Sequence, residues 1–188
     1  MRYEGTVYRP PSEAGSLIIQ LTIGCARNTC TFCNMYKDKK FRIRPLEEVA
    51  EDLEMARKYY SHIKVRRIFL ADGDALIVKT KDLLYILDKC HEYFPEVERI
   101  SVYGAPKDIL GKTPEELKQL KDAGLDMVYM GLESGDDEVL KEVKKGVTSE
   151  EMIAAGIKVR EAGMILSMTI ISGLGGKKRW REHALNSA

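Results

Sequence analysis

The chain is predicted to form an α/β domain built on a parallel sheet, and three observations lead to this class. Five short, largely apolar runs alternate with helical patterns along the chain. The stretches between successive runs are too long for hairpins, which favours parallel pairing through right-handed crossovers. With 188 residues, of which 44% are hydrophobic and 31% charged, the chain has the size and composition of one domain with a single core.

The first part of the chain contains one irregular segment and one strand-loop-helix unit. Residues 1–16 are rich in proline and polar residues, and are predicted to form an irregular entry segment. The first strand is predicted at residues 17–22, which are mostly apolar and end before a glycine. After a loop that carries several cysteines, Pro45 opens a helix whose apolar residues recur at helical spacing as far as Ala56. The cysteine loop is therefore expected at the carboxyl end of a strand.

Four further units follow along the chain. Their strands are predicted at residues 67–71, 99–103, 127–132 and 165–171. Their helices are predicted up to residue 93, at 113–124, at 136–145, at 148–163 and from 179 onward. Thr113 with Glu116, and Thr148 with Glu151, have the spacing of capping boxes. Residues 17–188 are predicted to be one core domain that is incomplete at its C-terminal end, and therefore a fragment of a larger architecture.

The composition provides no general signal for nucleic acid or membrane binding. The formal net charge is +1 and the isoelectric point is about 7.6. The N-terminus lacks a secretory signal, and no window approaches the roughly 18 to 20 apolar residues of a membrane span. A cytoplasmic location is therefore expected, with no membrane partner and no strong indication of nucleic acid.

One local segment is strongly basic. Residues 37–44 contain five cations against the single Asp38, namely Lys37, Lys39, Lys40, Arg42 and Arg44. Such a segment can dock an acidic electron donor, hold a substrate anion or contact RNA phosphate. A solvated face without a partner is the alternative.

Three of the four cysteines lie within nine residues, at Cys25, Cys30 and Cys33. In a reducing compartment this C-x4-C-x2-C spacing indicates a metal or redox site. Three thiolates with no further ligand nearby fit a 4Fe-4S cluster that keeps one iron open. A structural zinc in an RNA- or protein-binding module is one alternative. The fourth, Cys90, is predicted to be a buried structural thiol, although a cluster used only for electron transfer would require it as fourth ligand.

With Phe32 directly before the third cysteine, the loop resembles the cluster loop of the radical S-adenosylmethionine (radical SAM) superfamily. It has one residue more than the commonest family spacing, C-x3-C-x2-C. The chain is most similar to the group that contains oxygen-independent coproporphyrinogen oxidases, and the resemblance covers residues 17–176. It implies a partial (β/α)6 TIM-like barrel, of which the five predicted strands supply about five units, with the cluster at the carboxyl mouth of the strands.

The resemblance implies an enzyme with two cofactors, a 4Fe-4S cluster and S-adenosylmethionine. In this family the methionine amino and carboxylate groups bind the open iron. One electron then cleaves a carbon–sulfur bond, and the resulting 5′-deoxyadenosyl radical abstracts a hydrogen atom from the substrate. A reducing electron donor such as flavodoxin or ferredoxin is implied as partner. The substrate and any residue acting on it are unknown, because substrate contacts in this family come largely from the last strands and from appended domains.

Four residues near the first two strands are implied as cofactor contacts. Gly73 and Asp74 match in kind a Gly-Gly-Glu motif that binds the methionine amino group, with Asp72 in place of the first glycine. An ordinary Asp-Gly turn is the alternative. Phe32 and Tyr36 are expected to contact the adenine, although Tyr36 can also serve as a roof over the loop.

Four more implied contacts follow the last two strands. Glu133 and Ser134 lie in a segment that resembles the fourth-strand motif of the family, whose polar residues meet the ribose. A plain helix entry explains the neighbouring acids, Asp136 and Asp137, equally well. Ile171 and Gly173 match two positions of the fifth-strand motif.

Overall fold

The computed structural model describes residues 1–188, which form a five-stranded parallel sheet packed against helices and a separate two-stranded ribbon. The strands are β1 (Leu17–Gln20), β2 (Thr22–Ile23), β3 (Arg42–Ile43), β4 (Arg67–Ala71), β5 (Arg99–Tyr103), β6 (Leu125–Glu133) and β7 (Ile165–Ile170). The helices are α1 (Leu46–Tyr59), α2 (Thr80–Tyr93), α3 (Pro106–Gly111), α4 (Pro114–Asp122), α5 (Asp137–Glu142), α6 (Ser149–Glu161) and α7 (Gly176–Ser187).

Five strands form the sheet in the spatial order β1-β4-β5-β6-β7, and every neighbouring pair is parallel. This confirms the predicted α/β class and the partial barrel with five strand-helix units. The parallel order also places the carboxyl ends of all five strands at one edge of the sheet. Loops that follow these strands therefore meet at a common mouth.

The first strand is shorter than predicted. It ends at Gln20, because the chain then leaves the sheet and forms a two-stranded antiparallel ribbon in which Thr22 pairs with Ile43 and Ile23 with Arg42. The cysteine loop connects the two strands of this ribbon. It is therefore held at both ends by backbone pairing, which no local sequence pattern indicated.

The remaining differences concern one short helix and the ends of other helices and strands. Helix α3 was not predicted, and it fills the connection between β5 and the predicted capping box of α4. Both capping boxes are confirmed, at Thr113 with Glu116 and at Thr148 with Glu151. Strand β6 is longer than predicted at both ends. Helix α7 begins at Gly176, three residues before the predicted start, and has non-helical backbone angles at Arg179.

The two faces of the sheet are covered differently. On the outer face, strand residues such as Leu70 and Val102 are fully buried against helix residues such as Leu53 and Leu87. The inner face carries an aromatic cluster, defined here as Phe69, Tyr103 and Tyr129, whose rings meet edge to face. The sheet therefore lies between this inner cluster and the helices.

The N-terminal segment reaches the inner face of the sheet. Its one turn of 3-10 helix, Pro11–Glu13, buries Glu13 completely. The Glu13 carboxylate accepts hydrogen bonds from Arg99 Nη2 at 2.8 Å, from Ser101 Oγ at 3.1 Å and from Tyr129 Oη at 2.7 Å. Two strands are thereby tied to residues that precede the sheet in sequence.

No helix of the chain combines the length and the apolar character that a membrane crossing requires.

Candidate functional site

The cysteine loop lies at the carboxyl end of the sheet, between β2 and β3. Cys25, Cys30 and Cys33 are free thiols and are half-buried. The sequence predicted this position from the strand that precedes the loop. Cys90 is a free thiol too, but it lies in α2 and is fully buried in the core, as predicted.

Contacts within and below the loop fix its path. The backbone N–H of Thr31 donates to the carbonyl of Val143 at 3.0 Å, which docks the loop on the end of α5. The Asn28 side chain donates to the carbonyl of Tyr36, and Lys37 Nζ donates to the carbonyl of Asn28 at 2.7 Å. The loop is therefore held in place by the rest of the fold.

Burial is the main influence on the loop thiols. It raises the pKa of Cys25, although the backbone N–H groups of Arg27 and Asn28 point at this sulfur and act in the opposite direction. Burial also raises the pKa of Cys30, against the nearby cation of Lys145. Amide groups and cations around a thiolate are the features that a cluster with sulfur ligands requires.

No three His, Cys, Asp or Glu side chains of the chain are grouped so that they could hold one metal ion. A cluster makes a different demand on the protein, because each of its thiolates binds a different iron.

Asp72 stands where the Gly-Gly-Glu motif of the resembled family has its first glycine. Its contacts in the structure indicate that it supports the cysteine loop. Its carboxylate is fully buried. The Oδ2 atom accepts hydrogen bonds from Gln20 Nε2 at 3.0 Å, from the Gly24 N–H at 3.0 Å and from Lys39 Nζ at 2.9 Å. Asp72 therefore links the end of β1 to both flanks of the cysteine loop.

Gly73 touches the cysteine loop directly. A Cβ atom at this position would lie 2.5 Å from Tyr36 Cε2 and 3.1 Å from Cys25 Cβ, so a larger side chain would push the loop away. Tyr36 itself is buried, and its ring meets the Tyr8 ring edge to face. These contacts favour the roof role for Tyr36, while an adenine contact from it stays a prediction.

Asp74 is fully buried at the same end of β4. Its Oδ1 atom accepts a hydrogen bond from the Ala105 N–H at 3.2 Å, whereas its Oδ2 atom has no partner. Burial raises the pKa of Asp74 to about 8, and the carboxyl group of Asp108 adds to this effect. A buried carboxyl oxygen without a partner fits the binding of a cationic group, so this residue fits the amino group of S-adenosylmethionine.

The ammonium group of Lys145 lies close to both Glu133 and Phe32. The Glu133 carboxylate lies 3.1 Å from Lys145 Nζ, and Glu133 has left-handed backbone with φ of 63°. The same Nζ atom lies 5.9 Å from the centroid of the Phe32 ring. The structure thus brings two of the predicted residues together through Lys145, a residue that no motif of the sequence indicated.

Ser134 is fully buried beneath α7. Its Oγ atom is 2.8 Å from His183 Nδ1, and it accepts a hydrogen bond from the Asp136 N–H at 3.0 Å. In the structure Ser134 therefore organises the end of β6, and a ribose contact from it stays a prediction. His183 also contacts the carbonyl of Ile171, with 3.1 Å from Nε2 to the oxygen.

The loop between β7 and α7 holds the last two predicted residues. Ile171 is half-buried, and its N–H donates to the carbonyl of Glu133 at 3.1 Å. Gly173 is exposed, and nothing lies within 4 Å of where its Cβ would be. Ile171 therefore lies close to Glu133 and Ser134. Gly173 is exposed and makes no comparable contact.

The helix entry predicted after β6 is confirmed at Asp136, which caps α5 by accepting the Val139 N–H at 3.0 Å. Asp136 also receives two hydrogen bonds from Arg179, from Nε at 2.9 Å and from Nη2 at 2.8 Å, and a third from Asn186. Helix α7 is thereby fastened over the end of β6. The partner residues lie more than 40 positions away, and no local pattern indicated them.

Asp136 is expected to make the stability of the fold depend on acid. Hydrogen bonds from Arg179 hold its pKa at about 2, below the value of 3.8 for an unperturbed side chain. The ionised carboxylate therefore contributes about 2 kcal/mol above pH 4, and this contribution is lost as the pH falls towards 2. In denaturant titrations, the difference between wild type and Asp136→Asn should shrink by about half from pH 6 to pH 3.

The matched control is Asp122→Asn, at an exposed position in the last turn of α4. Its difference from wild type should stay within about 0.5 kcal/mol at every pH. A difference for Asp136→Asn that does not change with pH would contradict the role given to the ionised carboxylate.

The basic segment is mostly neutralised within the chain. Three of its cations pair with carboxylates, namely Lys39 with Asp72, Arg42 with Glu4 and Arg44 with Asp52. Lys37 donates to a backbone carbonyl of the cysteine loop. Since most of the positive charge has internal partners, the segment serves chiefly to hold the loop. Docking of an electron donor, a substrate anion or RNA to it stays a prediction.

The fold and this site together define a parallel α/β domain with a three-cysteine loop at the mouth of its strands. The Radical SAM superfamily model matches residues 19–188, and the chain belongs to this superfamily. This confirms the recognition made from the cysteine loop. It also confirms a 4Fe-4S cluster and S-adenosylmethionine as the cofactors that membership brings.

Three known proteins illustrate the similarity. The chain is 30% identical over 189 residues to 4'-phospho-dehydrooxetanocin synthase of Priestia megaterium, with 87% of this chain and 25% of that protein covered. The cobalamin-dependent S-adenosylmethionine radical enzyme OxsB, solved with aqua-cobalamin, superposes with a TM-score of 0.69 at 22% identity, with 83% and 24% covered. Coproporphyrinogen III oxidase (HemN) from Escherichia coli superposes with a TM-score of 0.63 at 19% identity, with 92% and 40% covered.

These coverages show that the chain spans less than half the length of each of the three proteins. The two structural similarities confirm the fold.

Proposed function

We propose that the chain is the core of a radical SAM enzyme that cleaves S-adenosylmethionine reductively. The observation that supports this proposal is the meeting of two motifs at one mouth. Gly73, from the end of β4, packs against Cys25 of the cysteine loop, and Asp74 beside it presents a buried oxygen without a partner. A thiolate loop and a buried acceptor for a cation thereby lie next to each other.

The cysteine loop would hold the cluster through Cys25, Cys30 and Cys33, and Asp74 would receive the amino group of S-adenosylmethionine. When bound, the two cofactors supply reductive carbon–sulfur cleavage and a 5′-deoxyadenosyl radical that abstracts a hydrogen atom from a substrate.

The chain's own residues position and shield these groups. The Gly73 backbone leaves room for the loop, and Tyr36 covers it from the inner face. Lys145 places a cation beside Cys30, while the N–H groups at Cys25 stabilise its thiolate form. The aromatic cluster lines the inner face of the sheet, which is the side a barrel encloses. These apolar walls limit the access of water to the mouth.

A reducing electron donor, such as flavodoxin or ferredoxin, is part of the proposal, because the cleavage consumes one electron. No substrate is proposed. The names of the similar proteins indicate different activities, from 4'-phospho-dehydrooxetanocin synthase to coproporphyrinogen III oxidase.

Cofactor cleavage tests the proposal directly. The protein is reconstituted anaerobically with iron and sulfide, reduced with dithionite and incubated with S-adenosylmethionine. We expect 5′-deoxyadenosine to form, and the spectrum of the reduced cluster to change when S-adenosylmethionine is added. The same protein without reductant serves as control and should form none.

Two outcomes would point to other functions. Stoichiometric zinc without any response to S-adenosylmethionine would indicate the zinc-stabilised binding module. An intact cluster without 5′-deoxyadenosine would indicate electron transfer, which requires a fourth ligand. Cys90 is poorly suited to that task, because burial in the core raises its pKa to about 12.

A further inference from the structure

A second carboxyl group lies beside Asp74. Asp74 follows β4, whereas Asp108 lies in α3, which follows β5. Since β4 and β5 are parallel neighbours, both residues belong to the same mouth. The charge of the Asp108 carboxyl group contributes to the raised pKa of Asp74, as expected for two acids at the same mouth. Helix α3 was absent from the sequence prediction, so this pair could not have been anticipated.

The pair has unused hydrogen-bonding capacity. The Oδ2 atoms of Asp74 and Asp108 are both buried, and neither has a hydrogen-bond partner. The Asp74 side chain is fully buried, so water does not compensate it. The positive charge of Arg27 lowers the pKa of Asp74, but its guanidinium donates no hydrogen bond to this carboxylate. Arg27 Nε is itself buried without a hydrogen-bond partner. Two buried oxygens without a donor are costly, so a ligand that donates to them would be favoured.

A primary ammonium group would satisfy this arrangement. It carries three N–H donors and one positive charge, so it can serve two carboxylate oxygens and remove their mutual repulsion. An anion or a neutral apolar group would do neither. The ligand chemistry that fits the pair is therefore the ammonium end of an α-amino acid.

We propose that Asp74 and Asp108 together form the subsite for the ammonium group of S-adenosylmethionine, with Asp108 as the second carboxylate. This inference rests on the proposed function, and adds to it a residue that no motif of the chain indicated. Asp108 thereby selects ligands that carry an amino group over nucleosides that lack one.

Two ligands separate this role from a structural one. S-adenosylmethionine carries the ammonium group, whereas 5′-methylthioadenosine has the same nucleoside without it. Binding of each to the reconstituted protein is measured by equilibrium dialysis. Asp108→Asn should weaken S-adenosylmethionine binding about 10- to 100-fold, the value of a hydrogen bond to a charged group. The affinity for 5′-methylthioadenosine should stay within about twofold of wild type.

Asp108→Asn retains an amide that can donate to Asp74, so the fold is expected to tolerate it. Asp108→Ala is the second variant and should produce the same difference between the two ligands. Asp122→Asn, the exposed control, should bind both ligands as wild type does. Iron content is measured in every variant and should equal that of wild type.

Three results would overturn the inference. If wild type binds S-adenosylmethionine and Asp108→Asn binds it equally well, Asp108 is not part of the subsite and the proposed function still stands. If Asp108→Asn loses both ligands alike, its role is structural. If wild type with a full cluster does not bind S-adenosylmethionine at all, the proposed function fails together with the inference.

Discussion

Replacement of any one of Cys25, Cys30 and Cys33 with serine is expected to abolish loading of the cluster. Each thiolate of a three-cysteine loop holds a different iron, so the loss of one ligand leaves two irons without protein support. A serine hydroxyl does not replace a thiolate at neutral pH, because it stays protonated. After anaerobic reconstitution, wild type should contain about four irons and an equal amount of sulfide per chain, and each variant close to none.

Cys90→Ser is the matched control for these variants. Cys90 lies in α2 and is fully buried against apolar residues of the core. Its replacement is expected to reduce stability modestly and to leave the iron content unchanged. Equal iron content in all four variants would contradict the assignment of the loop as the cluster site.

Glu13→Ala is expected to destabilise the chain by about 3 kcal/mol, in the range measured when one partner of a buried ion pair is removed. The change leaves Arg99 without its carboxylate, and it leaves Ser101 and Tyr129 without the acceptor they share inside the sheet. The free energy of unfolding from urea titrations of the metal-free protein gives the measurement.

Glu13→Gln keeps the size and one acceptor oxygen, and should lose clearly less stability than the alanine variant. Glu54→Ala, at an exposed position of α1, serves as the surface control and should remain within about 0.5 kcal/mol of wild type. If Glu13→Ala also falls within that margin, the buried carboxylate does not hold the N-terminal segment to the sheet.

Local patterns were sufficient to predict most of the architecture. The bounds of β4 and β5 follow directly from their apolar runs. The starts of α4 and α6 follow from capping boxes, which depend on residues only three positions apart. The cysteine loop was placed correctly, because strand and loop adjoin in sequence.

Features that depend on distant residues were missed. The ribbon of β2 and β3 pairs segments separated by the whole cysteine loop. Helix α3 has only six residues, too few to show a helical period, although Pro106 at its first position is a start signal. The influence of Asp108 on the pKa of Asp74, and the two hydrogen bonds from Arg179 to Asp136, link residues 34 and 43 positions apart. Such partners become visible only once the sheet order is known.

The substitution of Asp72 for glycine has a consequence for how the cluster is assembled. In many small metal domains, the ion must order the chain as it binds, and the affinity is reduced by that ordering. Here the carboxylate of Asp72 already joins the end of β1 to Gly24 and Lys39, on either side of the three cysteines. The entropy of closing this segment is therefore lost when the protein folds. Iron and sulfide therefore bind to a loop whose two ends are already fixed by the fold.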